Sequence, residues 1–111
     1  MFYLELGHGQ PVILIHGTLS DFRFWQFQIE SFAQKFHVVS YSRRYAYPNQ
    51  WLGDGEDNNL RNNATDLAEL IIKRLDLGPA HLIGHSYGAL TALYMAYQRL
   101  MILRSPEVYK M

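Results

Sequence analysis

The sequence predicts an α/β fold with a mainly parallel sheet and flanking helices. Short apolar runs rich in β-branched residues alternate with segments whose apolar residues recur every three or four positions. Gly, Pro, Asn and Asp separate these segments, as turn residues do. With 111 residues, 49% of them hydrophobic, the chain can build one core, so we expect a single domain.

Four segments are predicted to form strands. The clearest is residues 12–15, a continuous apolar run that is typical of a strand buried on both faces of a parallel sheet. The other predicted strands are residues 2–6, 37–41 and 80–83. Strands that alternate with helices imply right-handed crossovers, and therefore a mainly parallel sheet.

Three segments show helical periodicity. Asp21 is the predicted N-cap of the first, in which apolar residues form one wide stripe from position 22 to position 36. The second spans residues 60–75 and ends before a Gly-Pro pair. The third runs from residue 89 to about residue 103 and is apolar on most faces. Because it lacks a polar face, we expect it to be central.

Composition excludes several classes of function. Ten Lys and Arg balance ten Asp and Glu, so no long-range field attracts nucleic acid or a membrane surface. The absence of cysteine excludes disulfides, thiol nucleophiles and thiolate metal sites, and makes the cytoplasm the expected compartment. The amino terminus lacks the basic region of a secretory signal, and no apolar run approaches the about 18 residues of a membrane span.

Residues 84–88 read Gly-His-Ser-Tyr-Gly, a GxSxG pattern directly between a predicted strand and a predicted helix. A tight turn there forces Ser86 into a strained, positive-φ conformation and projects its hydroxyl from the backbone. Gly84 and Gly88 leave room for the turn. The following helix directs amide hydrogens and partial positive charge at the site, so the Tyr87 amide is a candidate oxyanion donor.

A second motif follows the strand at residues 12–15. There His16 and Gly17 precede Thr18 at the carboxyl end of the strand, where ligands of open parallel sheets collect. The Thr18 amide is the predicted second oxyanion donor, with the Leu19 amide as the alternative. We expect His16 to brace this loop rather than to act as a base.

These motifs, in their order and spacing, resemble the N-terminal half of the α/β-hydrolase superfamily over roughly residues 3 to 97. The resemblance rests on Gly7-x-Gly9-x-Pro11 leading into Val12 to Gly17, on Trp25, on Asp66-Leu67, and on His81 to Gly88. It implies a partial α/β-hydrolase fold with Ser86 as nucleophile and the Thr18 and Tyr87 amides as oxyanion hole. It implies a small-molecule substrate and no metal or cofactor. A serine nucleophile favours acyl transfer from an ester-, thioester- or amide-like compound.

Residues 42–59 form a polar, aromatic loop that borders the substrate entrance in the resembling family. Arg43 and Arg44 alternate with aromatic residues here, as in some nucleic-acid sites. Two arginines without a broader basic field are a weak basis for such a site, so aromatic packing near the entrance is the preferred interpretation.

The chain also departs from the family pattern, in which an acid and then a histidine follow the nucleophile. All five histidines precede Ser86, and Glu107 is the only acid after it. We therefore expect residues 1–111 to be one incomplete domain, nearly inactive alone, with residues 98–111 an off-family tail as an alternative. The competing hypothesis is an inert relic that acts, if at all, by association. The strand at residues 80–83 would offer an open edge for self-association, unless residues 101–104 cover it.

Overall fold

The computed structural model describes residues 1–75, 77, 79–98 and the backbone of residues 107–110. Its centre is a mixed sheet whose strands lie in the order β1-β3-β2-β4-β5. The strands are β1 (Tyr3–Leu6), β2 (Pro11–Ile15), β3 (His37–Tyr41), β4 (His81–Gly84) and β5 (Glu107–Lys110). Only β1 runs antiparallel to its neighbour, and all the other pairs are parallel. The predicted fold class is confirmed.

The helices are a 3₁₀ helix at Phe22–Trp25, α1 (Ile29–Ala33), α2 (Leu60–Glu69) and α3 (Tyr87–Gln98). A π-helical turn, Leu70–Arg74, continues α2. The second helix therefore ends within one residue of its predicted end at residue 75. The third begins two residues earlier than expected, and its predicted end near residue 103 lies outside the described residues.

The single helix expected over residues 22–36 is wrong, because two short helices occupy that segment. In an α-helix the Phe22 carbonyl would accept from the amide four residues later. Here it accepts instead from the Ser40 hydroxyl at 2.8 Å, and the Gln26 amide turns to the Arg23 carbonyl at 3.0 Å. Tethering to β3 thus tightens the first turn to 3₁₀ geometry. Asp21 caps it as predicted, through its carboxylate and the Arg23 amide.

β2 is buried on both faces, as its apolar run indicated. Ile13 and Ile15 face α2 and α3, while Val12 and Leu14 face Trp25 and α1. Successive side chains of a strand point to opposite faces, so each residue of β2 is committed to one of two cores. This burial fixes the position of the loop that follows β2.

Two expectations about the carboxyl-terminal part are corrected. β4 is not an open edge, because β5 pairs with it in parallel from Glu107 opposite His81. The edges of the described sheet are therefore β1 and β5. Nor is α3 enclosed on all sides: it packs on α2 and β4, but leaves Leu90, Leu93 and Tyr97 exposed. Residues 101–104, the alternative cover for β4, and most of the suggested tail at 98–111 lie outside the described residues.

Among the described residues, none of the helices has the length and apolar character needed to cross a bilayer.

Candidate active site

Ser86 lies on a two-residue turn between the end of β4 and the start of α3. Its φ is 55°, in the left-handed region, and its side chain is exposed. The turn is closed by hydrogen bonds from the Gly88 amide to the His85 carbonyl and from the Ala89 amide to the Ser86 carbonyl, both 2.9 Å. The bend expected from the GxSxG pattern is therefore present.

Gly84 and Gly88 are required by close approach of the backbone. A methyl group at Gly84 would overlap the Gly88 carbonyl and lie 2.5 Å from the Ala89 nitrogen. At Gly88 it would overlap the Ile15 carbonyl and lie 2.7 Å from the His16 carbonyl oxygen. The first glycine lets the turn close on itself, and the second lets α3 start against the end of β2.

The loop after β2 contacts the Ser86 turn. The His85 amide donates to the Ile15 carbonyl at 3.0 Å. A methyl group on Gly17 would lie 3.1 Å from the His85 carbonyl oxygen and 3.2 Å from the Ser86 Cβ, so a side chain there would push the two loops apart by a few tenths of an ångström. Thr18 is the next residue, and Leu19 has a positive φ of 58°. The structure thus brings the two loops that carry the predicted oxyanion donors together.

The Tyr87 amide is the first of α3. The amides at the beginning of a helix have no acceptor within the helix. The amides of the next two residues, Gly88 and Ala89, donate within the turn to the carbonyls of His85 and Ser86. This leaves the Tyr87 amide, beside the serine, as the first-turn donor that the helix supplies to a bound group, together with the positive end of its dipole.

His16 braces the loop, as expected from the sequence. It is fully buried, its Nε2 accepts from the Arg43 amide at 3.0 Å, and its Nδ1 donates to the Gly17 carbonyl at 2.8 Å. Burial is the main reason why the pKa of His16 falls from about 6.5 to about 4. The ring is therefore neutral at pH 7 and joins the ends of β2 and β3.

Two other histidines, His85 and His37, have different neighbours. His85 stacks on Phe24, with ring centroids 4.6 Å apart. His37 pairs with Glu5 at 2.8 Å, at the amino end of β3 and so at the opposite end of the sheet from Ser86.

The two arginines that follow β3, which the sequence offered only as a weak nucleic-acid site, make contacts that the sequence did not predict. Arg43 is buried and lies over the Tyr87 ring, with its Cζ 4.6 Å from the ring centroid. Arg44 donates hydrogen bonds from its Nε and Nη2 to the two carboxylate oxygens of Asp66, at 2.7 and 2.8 Å. Their position at the carboxyl end of a parallel strand was the available signal, since that edge of a sheet is where ligands bind. The aromatic packing expected here is present, because Arg44 also lies over the Trp51 ring.

Comparisons with known proteins agree with this geometry. A family model described as the alpha/beta hydrolase fold matches residues 10–107. A hydrolase of (E)-2-((N-methylformamido)methylene)succinate from Acinetobacter baylyi is 37% identical over 79% of this chain and 32% of its own length. A soluble epoxide hydrolase from a Corynebacterium species is 33% identical over 93% of this chain and 37% of its own. The chain therefore spans about a third of these curated relatives.

Solved structures show the same architecture. An esterase from a marine microorganism superposes with a TM-score of 0.85 at 25% identity, covering 96% of this chain and 40% of the esterase. The strand–turn–helix around Ser86 and the mixed sheet that supports it are thus those of a known group of enzymes, and the chain belongs to the α/β-hydrolase fold family.

Proposed function

We propose that this chain carries the nucleophile and the oxyanion half of a serine hydrolase that acts on an ester-, thioester- or amide-like small molecule. The observation that carries the proposal is the exposed Ser86 at φ 55° at the start of α3. A non-glycine residue in the left-handed region costs about 1–3 kcal/mol and persists at functional sites where the neighbouring structure imposes it.

In the proposed reaction the Ser86 oxygen attacks the substrate carbonyl carbon. The carbonyl oxygen becomes an oxyanion, which the amides of Thr18 and Tyr87 stabilise by hydrogen bonds. The bond to the leaving group then breaks, the serine proton passes to that group, and water hydrolyses the acyl-enzyme. No metal or cofactor takes part in this scheme.

A base is needed to move the serine proton. His16 is neutral but buried behind the loop, and His85 stacks on Phe24, so neither is proposed for this role. Loss of the histidine from a serine triad lowers turnover by about 10⁶-fold, while the oxyanion hole and binding retain about 10³–10⁴-fold over water. We therefore expect very slow turnover by these 111 residues alone.

A cytoplasmic location is part of the proposal.

Covalent labelling tests the nucleophile without requiring turnover. The chain is incubated with a fluorophosphonate, and the modified peptide is identified by mass spectrometry. We expect one adduct on Ser86, and none in Ser86→Ala. Ser31→Ala, which removes an exposed serine from α1, should label like the unaltered chain. Because the chain lacks the base, we expect this adduct to form slowly. Labelling that survives in Ser86→Ala, or labelling of Ser86 that is no faster in the folded chain than in the chain unfolded in urea, would contradict the proposal.

A non-catalytic role is the second candidate, favoured by the exposed apolar residues of α3. On that hypothesis the chain acts only by association. Hydrolysis of p-nitrophenyl acetate separates the two: turnover above that of Ser86→Ala supports the enzyme, and equal rates support the non-catalytic role.

A further inference from the structure

Arg43 holds a buried guanidinium whose hydrogen-bonding capacity is largely unused. The residue is only 5% exposed. Its Nε and Nη1 have no acceptor among the described residues, and its Nη2 lies 3.5 Å from the Gly17 carbonyl oxygen, at the limit of a hydrogen bond. An arginine stays protonated in proteins, so the charge is present. The Tyr87 ring lies against this cation, but it accepts none of the free N–H groups in the plane of the guanidinium. Burying an ion without a carboxylate partner is unfavourable by several kcal/mol, so the position of Arg43 needs an explanation.

Arg44, the next residue, does have carboxylate partners within the protein. Arg44 binds Asp66 through two nitrogens and Asp57 through a third contact at 3.1 Å. No described carboxylate does the same for Arg43. One of two adjacent guanidinium groups is thus satisfied by the protein, and the other is left with donors for an external acceptor.

Arg43 belongs to the wall of a cavity. Its volume is about 170 Å³, several times the about 30 Å³ that one water molecule occupies in the liquid. The loops after β2 and β3 line it, with the two arginines and the polar side chains of Thr18, Ser20 and Asn58, and no carboxylate belongs to the lining. Arg44 is neutralised by its own carboxylate partners, so the unpaired charge in this lining is that of Arg43, and it favours an anion.

The cavity adjoins the proposed reaction centre. Thr18, whose amide is a proposed oxyanion donor, belongs to its wall. The Arg43 guanidinium lies over the ring of Tyr87, the residue that follows the nucleophile. A group bound to Arg43 would therefore be part of the same small molecule whose carbonyl reaches Ser86.

We propose that Arg43 binds a carboxylate of the substrate, and that the substrate is an acyl compound with a free carboxylate a few bonds from the reacting carbonyl, such as a half-ester or half-amide of a short dicarboxylic acid. The planar fork of a guanidinium matches a carboxylate through two parallel hydrogen bonds, which supplies orientation as well as attraction. The inference rests on the proposed function for the role of the carbonyl, but the anion site can be tested without it.

Monomethyl succinate and dimethyl succinate are suitable probes, because they differ in one carboxylate. Each is titrated at constant ionic strength into the Ser86→Ala chain, which prevents hydrolysis. The Nε–H resonance of Arg43 is followed by ¹H–¹⁵N NMR and assigned by its loss in Arg43→Lys. We expect a saturable downfield shift with monomethyl succinate and none with dimethyl succinate. The Nε–H of Arg61, exposed on α2, is the internal control and should not shift.

Variants then test whether the Arg43 guanidinium binds the carboxylate. Arg43→Met should weaken binding of monomethyl succinate about tenfold or more, the loss expected for hydrogen bonds to a charged group, while Arg61→Met should bind as before. No shift of the Arg43 resonance, or an equal shift with both probes, would overturn the anion site. A saturable shift in a chain whose Ser86 is labelled by a fluorophosphonate no faster when folded than when unfolded would retain the anion site and reject the proposed hydrolase.

Discussion

Ser86 and His16 show how single residues are set by backbone neighbours rather than by their own preferences. The left-handed backbone at Ser86 is imposed by close contacts at Gly84 and Gly88, where any side chain would overlap a carbonyl group. His16 is held by one backbone donor and one backbone acceptor. Its neutral ring is a structural part of the loop, so its protonation should be coupled to folding.

The pKa of His16 gives the first prediction. The folded pKa of about 4 lies below the unfolded value of about 6.5, so the unfolded state binds the proton more readily. The stabilisation is complete above pH 6.5 and is lost as the pH falls toward 4. We expect the free energy of unfolding, measured with urea, to decrease by about 2–3 kcal/mol between pH 7 and pH 4 because of this group.

Two variants separate His16 from the other titrating groups. His16→Asn cannot take up a proton, so its unfolding free energy should lose that part of the pH dependence. His8→Gln, which alters an exposed histidine, should keep it. An unchanged pH profile in His16→Asn would mean that His16 does not titrate on unfolding in this range.

At the scale of elements, the long loop between β3 and α2 is fastened to the helix by Arg44. Its bidentate contact with Asp66 is largely shielded from solvent, with side chains 11% and 9% exposed. On the other side it reaches Asp57, whose side chain is half exposed and also accepts from the Tyr45 hydroxyl. This contact holds the loop, and with it Arg43, over the carboxyl end of the sheet.

Breaking the shielded contact should be far more damaging than breaking the exposed one. Asp66→Asn leaves the Arg44 charge with a neutral partner, and we expect it to lower the unfolding free energy by about 3 kcal/mol, at the low end for a broken buried pair. Asp57→Asn, with an exposed partner, should lower it by about 1 kcal/mol or less. Urea denaturation at pH 7 measures both, and equal losses would mean that the pair with Asp66 has no special role.

At the scale of the whole molecule, apolar surface and low charge favour self-association. The formal net charge is +0, so copies of the chain do not repel one another at pH 7. Leu90 and Tyr97 are exposed on α3, at 52% and 87%, and β1 and β5 lie at the edges of the described sheet. Both the helix face and the strand edges offer contacts to a second copy.

We therefore expect the average mass in sedimentation velocity to rise above 13.0 kDa with increasing concentration at pH 7. The double variant Leu90→Glu with Tyr97→Glu should reduce this rise if the α3 face is responsible. Phe27→Glu, which adds a charge at an exposed residue near Trp25 and α1 on the other face of the sheet, is the control. Association that persists in the double variant would point to the strand edges, and a monomer at all concentrations would contradict the prediction.

Part of this architecture was predictable because its signals are local. The apolar run of β2, the periodicity of α2 and the GxSxG turn each fit within a few residues, and the structure confirms these elements. The helix at residues 22–36 was not predictable in this way. Its apolar spacing suits a single helix, but the Ser40 hydroxyl on β3, which is distant in sequence, takes the carbonyl that would have continued it.

The sequence by itself determined the α/β class, the order of the elements and the bend at Ser86. The reason is that the apolar runs of buried strands and the spacing of glycines are set by residues close together in the chain. Only the tertiary structure decided that β5 covers β4, that His16 is a neutral brace and that Arg43 is buried without an acid. The reason is that pairing, burial and charge compensation depend on groups that the chain brings together across long separations, and no local pattern records them.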